Sequence, residues 1–274
     1  MAWILALDRG NDALKAALFD SGTIVGKWRE DGARPEDSLR RIARELALDS
    51  AKAAGARISK KDRVLLLDAI LDSVMFHSVV FSSVDPRWTK TIRRVLDRMG
   101  ASRVLEVSAK IEFPFEILVD RPSKTGSDRL AAAAGVVAAG GREAIIVDAG
   151  TAITVDVLSR KGFLGGAIFP GTGLLYRALH EGTAALPLVT GRGRAADPPG
   201  RSTRDAIVAG VEGGATGAVK ELVALSRRSV SKNAGLWVTG GGGAGLAKHL
   251  GKGARYEPDL VLRGLKYLFD LNCR

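Results

Sequence analysis

The hydrophobic pattern opens with three short apolar runs, Trp3–Leu7, Leu14–Phe19 and Thr23–Trp28, and these predict strands joined by tight turns at Arg9–Asp12 and Asp20–Gly22. The Ser21-Gly22 pair is a hairpin signal. From Pro35 the period lengthens. Leu39, Ile42, Ala43 and Leu46 fall on one helical face, with Pro35 in the first turn and Gly55 as the stop. Val64–Leu67 and Ser78–Ser83 return as strands, the second within FSSVDP. Pro86 opens a helix with Trp88, Ile92, Val95, Leu96 and Met99 inward and Gly100 at its end, and Arg103–Val107 follows as a strand. After PSKTGSDR, the small-residue run LAAAAGVVAAG predicts a closely packed helix joining two halves. The second half begins with a strand at Ala144. It continues with strands near Thr151–Leu158 and Phe163–Phe169, a helix from Thr203 to Arg228, a strand at Leu236–Thr239 and a closing helix at Pro258–Leu271. Gly191–Arg201 is the most loop-like stretch and is expected to be mobile.

The two halves share more than their order of elements. ILALDRGNDALKAALFDSGTIVG (4–26) aligns without a gap on AIIVDAGTAITVDVLSRKGFLGG (144–166), placing Asp8 on Asp148, Gly10 on Gly150, Gly22 on Gly162 and Gly26 on Gly166. Chance likeness between two glycine-turned hairpins explains this less well than duplication. The reading is therefore two similar domains, about 1–122 and 123–274, facing each other across a cleft. A chain of 274 residues is also longer than one core usually sustains.

Composition narrows the class. Apolar residues make up 46% of the chain, enough for substantial cores, and no apolar run approaches the ~20 residues of a membrane span. A single cysteine, Cys273, permits no internal disulfide and fits the cytoplasm. Lys and Arg outnumber Asp and Glu by 41 to 30, a formal charge of +11 that attracts anions. The basic residues are scattered in pairs, and no zinc, helix-turn-helix or aromatic-basic signature accompanies them, which argues against nucleic acid as partner.

In each half an Asp-x-Gly closes an apolar strand. A turn of this kind points backbone N–H groups outward toward phosphoryl oxygens, and Asp8 suits Mg2+, an ion that keeps several of its waters. In VDAGTAIT, Thr151 and Thr154 add hydroxyls beside Asp148. Either turn alone could be purely structural; the pair points to a nucleotide. In TGSDR, Asp128 is either a first-turn acid favoured by the helix dipole or a proton acceptor, with Arg129 clamping an anionic group. TGGGGAG (239–245) lets a ligand approach bare backbone, or is simply flexible. His77, His180 and His249 show no metal spacing, and neither a GxSxG elbow nor a GxxxxGK[ST] loop occurs.

DRGNDALKAALFD, FSSVDP, PSKTGSDRLAAAAG, VDAGTAITVDV, GFLGGAIFPG, LHEGTAALP, STRDAIVAG, TGG and PDLVLRGL stand in the order found in type III pantothenate kinases, also called Bvg accessory factor-like proteins, and the resemblance spans nearly the whole chain. It implies an α/β fold of duplicated actin/hexokinase/Hsp70-like (ribonuclease H-like) domains. It also implies transfer of the ATP γ-phosphoryl group to pantothenate, the first step of coenzyme A synthesis, with Mg2+ and K+ or NH4+, in a cytoplasmic homodimer. Carried over by motif, Asp128 becomes the general base, while Gly126, Arg129, His180 and Thr203 bind pantothenate. Asp8 (with Mg2+), Gly10, Asn11, Lys15, Gly150, Thr151, Thr239, Gly240 and Gly241 handle the nucleotide, and Asp148 serves the monovalent cation.

Three positions depart from the family pattern. Asp12 stands where the first turn usually carries Thr, Gly242 where the TGG motif continues into Asp, and Val119 where a Tyr usually precedes the PxxxGxDR motif. Two like charges ~4 Å apart repel by about 4 kcal/mol at an effective dielectric of about 20, so Asp12 is expected to weaken ATP binding. The departures leave open a kinase for another small hydroxylated acid, or a catalytically impaired homologue that binds a nucleotide or metabolite as a regulator.

Overall fold

The computed structural model describes residues 3–32, 34–53, 77–190 and 198–273. The strand expected at Val64–Leu67, the stop at Gly55, the side chain of Leu46 and most of Gly191–Arg201 lie outside the described residues.

The first sheet starts as an antiparallel meander of β1 (Ile4–Arg9), β2 (Ala13–Asp20) and β3 (Thr23–Asp31). Helix α1 (Pro35–Ala53) follows, then β4 (Ser78–Ser83), α2 (Pro86–Arg98) and β5 (Arg103–Glu106). Strand order is β3-β2-β1-β4-β5, with β4 parallel to β1 and β5 parallel to β4. Central β1 is buried on both faces, which accounts for its unbroken ILAL run. Leu5, Leu7, Leu14, Ala16 and Leu18 pack against Leu39 and Ile42 of α1 and Trp88, Ile92, Val95 and Leu96 of α2. The turn from β4 into α2 is fixed by Asp85, whose carboxylate accepts from the N–H groups of Arg87 and Trp88.

Helix α3 (Ser127–Ala138) leads to the second sheet. It comprises β6 (Ala144–Ala149), β7 (Ala152–Ser159), β8 (Gly162–Pro170), β9 (Gly235–Thr239) and β10 (Ala254–Tyr256). Its order, β8-β7-β6-β9-β10, is the first sheet's order again. Helices α4 (Thr172–Glu181), α5 (Thr203–Ser226), α6 (Gly243–Leu250) and α7 (Leu260–Asn272) complete the chain. The fold is thus the duplicated α/β arrangement expected. Helix α4, hidden behind the turn-like GTG at its start, and the three-residue β10 were not anticipated from the pattern.

By contact the chain forms two compact units, one of Met1–Phe113, Gly126–Ala131 and Leu262–Arg274, the other of Pro114–Thr125 and Ala132–Val261. The chain crosses between the units after Phe113, after Thr125, within α3 and within α7.

The duplication is not gapless. Asp8 pairs across the hairpin with Lys15, and Lys15 with Arg29. Asp148 instead pairs with Thr154, and Thr154 with Ile168. The first strands therefore correspond at 140 residues and the next two at 139. The extra residue lies in the first turn, where the Gly10 N–H reaches the Ala13 carbonyl, while the Gly150 N–H reaches that of Ala152. Irregularities at Leu18/Phe19 and Val157/Leu158 fall at matching places once the slip is allowed. This corrects the ungapped register: Gly26 corresponds to Gly165, not Gly166, and Gly22 to Lys161, not Gly162.

Candidate active site

In the first unit, β1 delivers Asp8 to the strand end with the carboxylate almost wholly buried (6% exposed). Ser82, which parallel pairing of β4 places beside it, donates a 2.7 Å hydrogen bond from Oγ to Asp8 Oδ1. Burial pushes the Asp8 carboxyl above its ordinary range; the Lys15 charge opposes this, the Asp128 charge adds to it, and the Ser82 hydrogen bond opposes it. A carboxylate kept dry and close to a second acid is primed to take a cation. Asn11 and Asp12 are exposed on the turn, and the Asp12 carbonyl accepts from the Gly32 N–H at 3.2 Å.

Asp128 stands in the first turn of α3 and is half-buried. Its Oδ1 accepts from the Arg129 N–H at 2.9 Å and folds back over Gly126. A Cβ at residue 126 would lie 2.5 Å from that oxygen, so the glycine leaves room for the carboxylate. Arg129, also half-buried, follows it. Asp8, Lys15, Asp128 and Arg129 thus all belong to one unit.

The second unit carries its own acidic strand end. Asp148 closes β6 next to Thr239, the last residue of β9. Gly240 adopts a φ of 88°, and any Cβ there would collide with Asp148 Oδ1 and the Ala149 backbone. The Gly242 N–H then donates to the Ala149 carbonyl at 3.0 Å. Close approach of the two loops therefore explains this part of the glycine run, and it gathers Asp148, Gly150, Thr151, Thr239, Gly240 and Gly241 at one end of the second sheet. Val119 packs in the same unit, its Cγ1 lying 3.2 Å from where a Gly165 Cβ would be.

Thr203 opens α5 behind the N-cap Ser202, whose Oγ accepts from the Asp205 N–H. It lines a cavity of ≈ 720 Å³ with Leu175, Leu179, Leu186, Ile207 and Val211. His180 is exposed at the end of α4, with Nδ1 2.8 Å from the Leu186 carbonyl, so it steadies a wall residue of this cavity. Ser82 lies within FSSVDP, but only the pairing of β1 with β4 shows which serine of that segment meets Asp8. Among the described residues no group of three or more His, Cys, Asp or Glu side chains could hold a metal. No described helix is long and apolar enough to cross a membrane.

Residues 4–225 match the family model of type III pantothenate kinase. A type III pantothenate kinase of Halorhodospira halophila is 36% identical over 269 residues, covering 95% of each chain. One from Chlorobium luteolum is 36% identical over 242 residues, covering 82% of this chain and 86% of the relative. Among solved structures, a conserved putative Baf family transcriptional activator from Campylobacter jejuni superposes with a TM-score of 0.59 at 19% identity, covering 97% of this chain and 98% of that one. At that identity the likeness speaks for the fold.

Proposed function

The chain belongs to the type III pantothenate kinase family, and on that premise we propose that it transfers the γ-phosphoryl group of ATP to the primary hydroxyl of pantothenate, the first step of coenzyme A synthesis. The observation that carries this reading is the grouping in one unit of a buried Asp8, its Ser82 and Lys15 partners, and Asp128 close enough to act on Asp8 electrostatically. In the transfer, the pantothenate hydroxyl oxygen forms a bond to Pγ as the bond from Pγ to the β-phosphate oxygen breaks. Asp128 accepts the hydroxyl proton and ADP leaves. Arg129 would clamp the pantothenate carboxylate, with Gly126 keeping Asp128 in place. Lys15 and the backbone N–H of Asn11 would neutralise phosphoryl charge, the Gly10 N–H being turned inward to the Ala13 carbonyl.

The chemistry of Asp8 fits Mg2+, which when bound supplies charge neutralisation on the phosphoryl oxygens. Asp148, Gly150 and Thr151 would serve a monovalent cation (K+ or NH4+) and phosphate, and Thr239–Gly241 would border the nucleotide. Purified protein with ATP, Mg2+, NH4+ and pantothenate should form phosphopantothenate; ADP release that does not depend on pantothenate would sink the assignment.

The exposed Asp12 is a local handicap to this chemistry. Solvent and salt screen an exposed charge, so Asp12→Thr should tighten ATP binding by only about three- to tenfold. An unchanged KM for ATP would refute the repulsion argument.

We also propose a homodimer built on α5. Gly210, Gly213, Gly214 and Gly217 are exposed along that helix, and a Cβ at any of them would meet no atom within 4 Å. Each helical glycine costs about 1 kcal/mol relative to alanine. Nothing described within the chain uses the space, whereas close approach of a second backbone would. Light scattering at assay concentration should give twice the chain mass, and a monomer that is fully active would overturn the proposal.

A further inference from the structure

The far end of the second sheet carries another cavity, ≈ 940 Å³ in volume, and all of its lining residues belong to one unit. It lies where β6 and β9 begin and β7 ends, whereas Asp148 and Thr239 stand at the other ends of β6 and β9. Five residues at about 3.3 Å each lead from Glu143 to Asp148, so the two places are about 16 Å apart. The cavity walls are tied to one another. Glu143, just before β6, accepts from the Ser231 Oγ at 2.8 Å, the Ser231 N–H at 3.3 Å and Arg160 Nε at 3.0 Å. The Ser231 hydroxyl above all, with its N–H and Arg160, holds the Glu143 carboxyl below its ordinary range, so this acid stays charged and engaged within the wall. The Gly235 N–H donates to the Glu143 carbonyl at 3.1 Å. Gly235 also makes room for Trp237, whose Nε1 would lie 2.8 Å from a Cβ at residue 235. That indole is 6% exposed, with the Arg255 guanidinium 4.2 Å from its ring centre. In the β7–β8 turn the Ser159 Oγ accepts from the Lys161 N–H at 3.2 Å, which fixes the backbone carrying Lys161.

Charge decides what such a cavity would hold. Its lining has three cations, Arg142, Arg160 and Lys161, and one carboxylate, Glu143. Glu143 answers Arg160. Arg142 and Lys161 are exposed and form no ion pair among the described residues, which leaves the cavity a surplus of two positive charges. A guanidinium fork and a mobile ammonium together match the charge and the several acceptor oxygens of a phosphate group. Either cation alone would be an ordinary solvated side chain, but the two line one preformed cavity of a size that holds a small ligand. We propose that this cavity binds the phosphate group of a small phosphorylated molecule through Arg142 and Lys161, with Trp237 in its wall, at a site separate from the Asp148 turn.

Trp237 supplies the readout, because the other tryptophans, Trp3, Trp28 and Trp88, belong to the first unit. Inorganic phosphate, glycerol phosphate and AMP are titrated separately while tryptophan emission is followed, with glycerol and adenosine as controls lacking the phosphate. At least one phosphorylated probe should change the emission with a Kd of about 1 mM or tighter. The controls should not, and the change should vanish in Trp237→Phe. In the double variant Arg142→Ala/Lys161→Ala the Kd should weaken about tenfold or more, with the melting temperature held because both side chains are exposed. Equal Kd values for the three probes would support the site as one for phosphate itself, and a tighter glycerol phosphate or AMP would support it as one for a phosphate ester. Trp237 is buried, so calorimetric titration of the parent against the double variant decides the matter if Trp237→Phe folds poorly. Probes that leave both emission and heat unchanged up to about 10 mM, or that bind the double variant as tightly as the parent, would overturn the proposal.

Discussion

Asp128→Asn should lower kcat by about 10²–10⁴, the usual contribution of a positioned general base, with little change in the KM for ATP or in thermal stability. Asparagine has the same shape and can still accept from the Arg129 N–H, but it cannot take up the pantothenate proton. In its present rotamer the carboxylate lies over Gly126 at the start of α3, where a side chain at residue 126 would force it to move. A single-turnover measurement with saturating ATP separates this from a binding defect. A variant retaining more than about a tenth of parental kcat would remove Asp128 from the proton transfer.

Asp8→Asn should stabilise the metal-free protein at neutral pH while abolishing useful catalysis. The sign follows from linkage. Burial raises the folded-state pKa of Asp8 above its unfolded value near 3.9, so the folded protein holds the proton more tightly. Between those two pKa values the folded state binds more protons than the unfolded one, and stability falls as pH rises through the window. Above it, the full cost of an ionised buried acid is present, offset in part by Lys15 and the Ser82 hydrogen bond. Asparagine carries no such cost. The melting temperature of Asp8→Asn should therefore exceed that of the parent at pH 8, and the difference should shrink toward pH 4. Adding Mg2+ with ATP should raise the parent's melting temperature and not the variant's. Loss of the charge should cut kcat/KM by at least about a hundredfold. A variant less stable than the parent at pH 8 would contradict the burial cost.

Much of this was readable from residues alone, and the unread part has a physical pattern. Asp8 and Asp148 announce themselves because each ends an apolar run where a charge has no packing role. The glycines at 240 and 126 are legible as glycines, but the reason for each is a contact: one with the Asp148 carboxylate and the Ala149 backbone, the other with the Asp128 carboxylate. Ser82 is hidden because a hydroxyl fits an apolar strand's pattern as well as a functional one does, and its partner lies 74 residues away. The membership of α7 in the first unit depends on packing that no local pattern encodes.

The single extra residue in the first turn also bears on how a duplicated chain can do directional work. Two halves that had stayed identical would carry two equivalent acidic turns, with no way of telling a group to be given from a group to receive it. The turns differ by one residue, yet the strands behind them keep the same pairing, so the two acids hold equivalent places while the residues across from them differ: Asp8 faces a lysine and Asp148 a threonine. Equivalent positions with unlike neighbours give one strand end a positive charge that the other lacks.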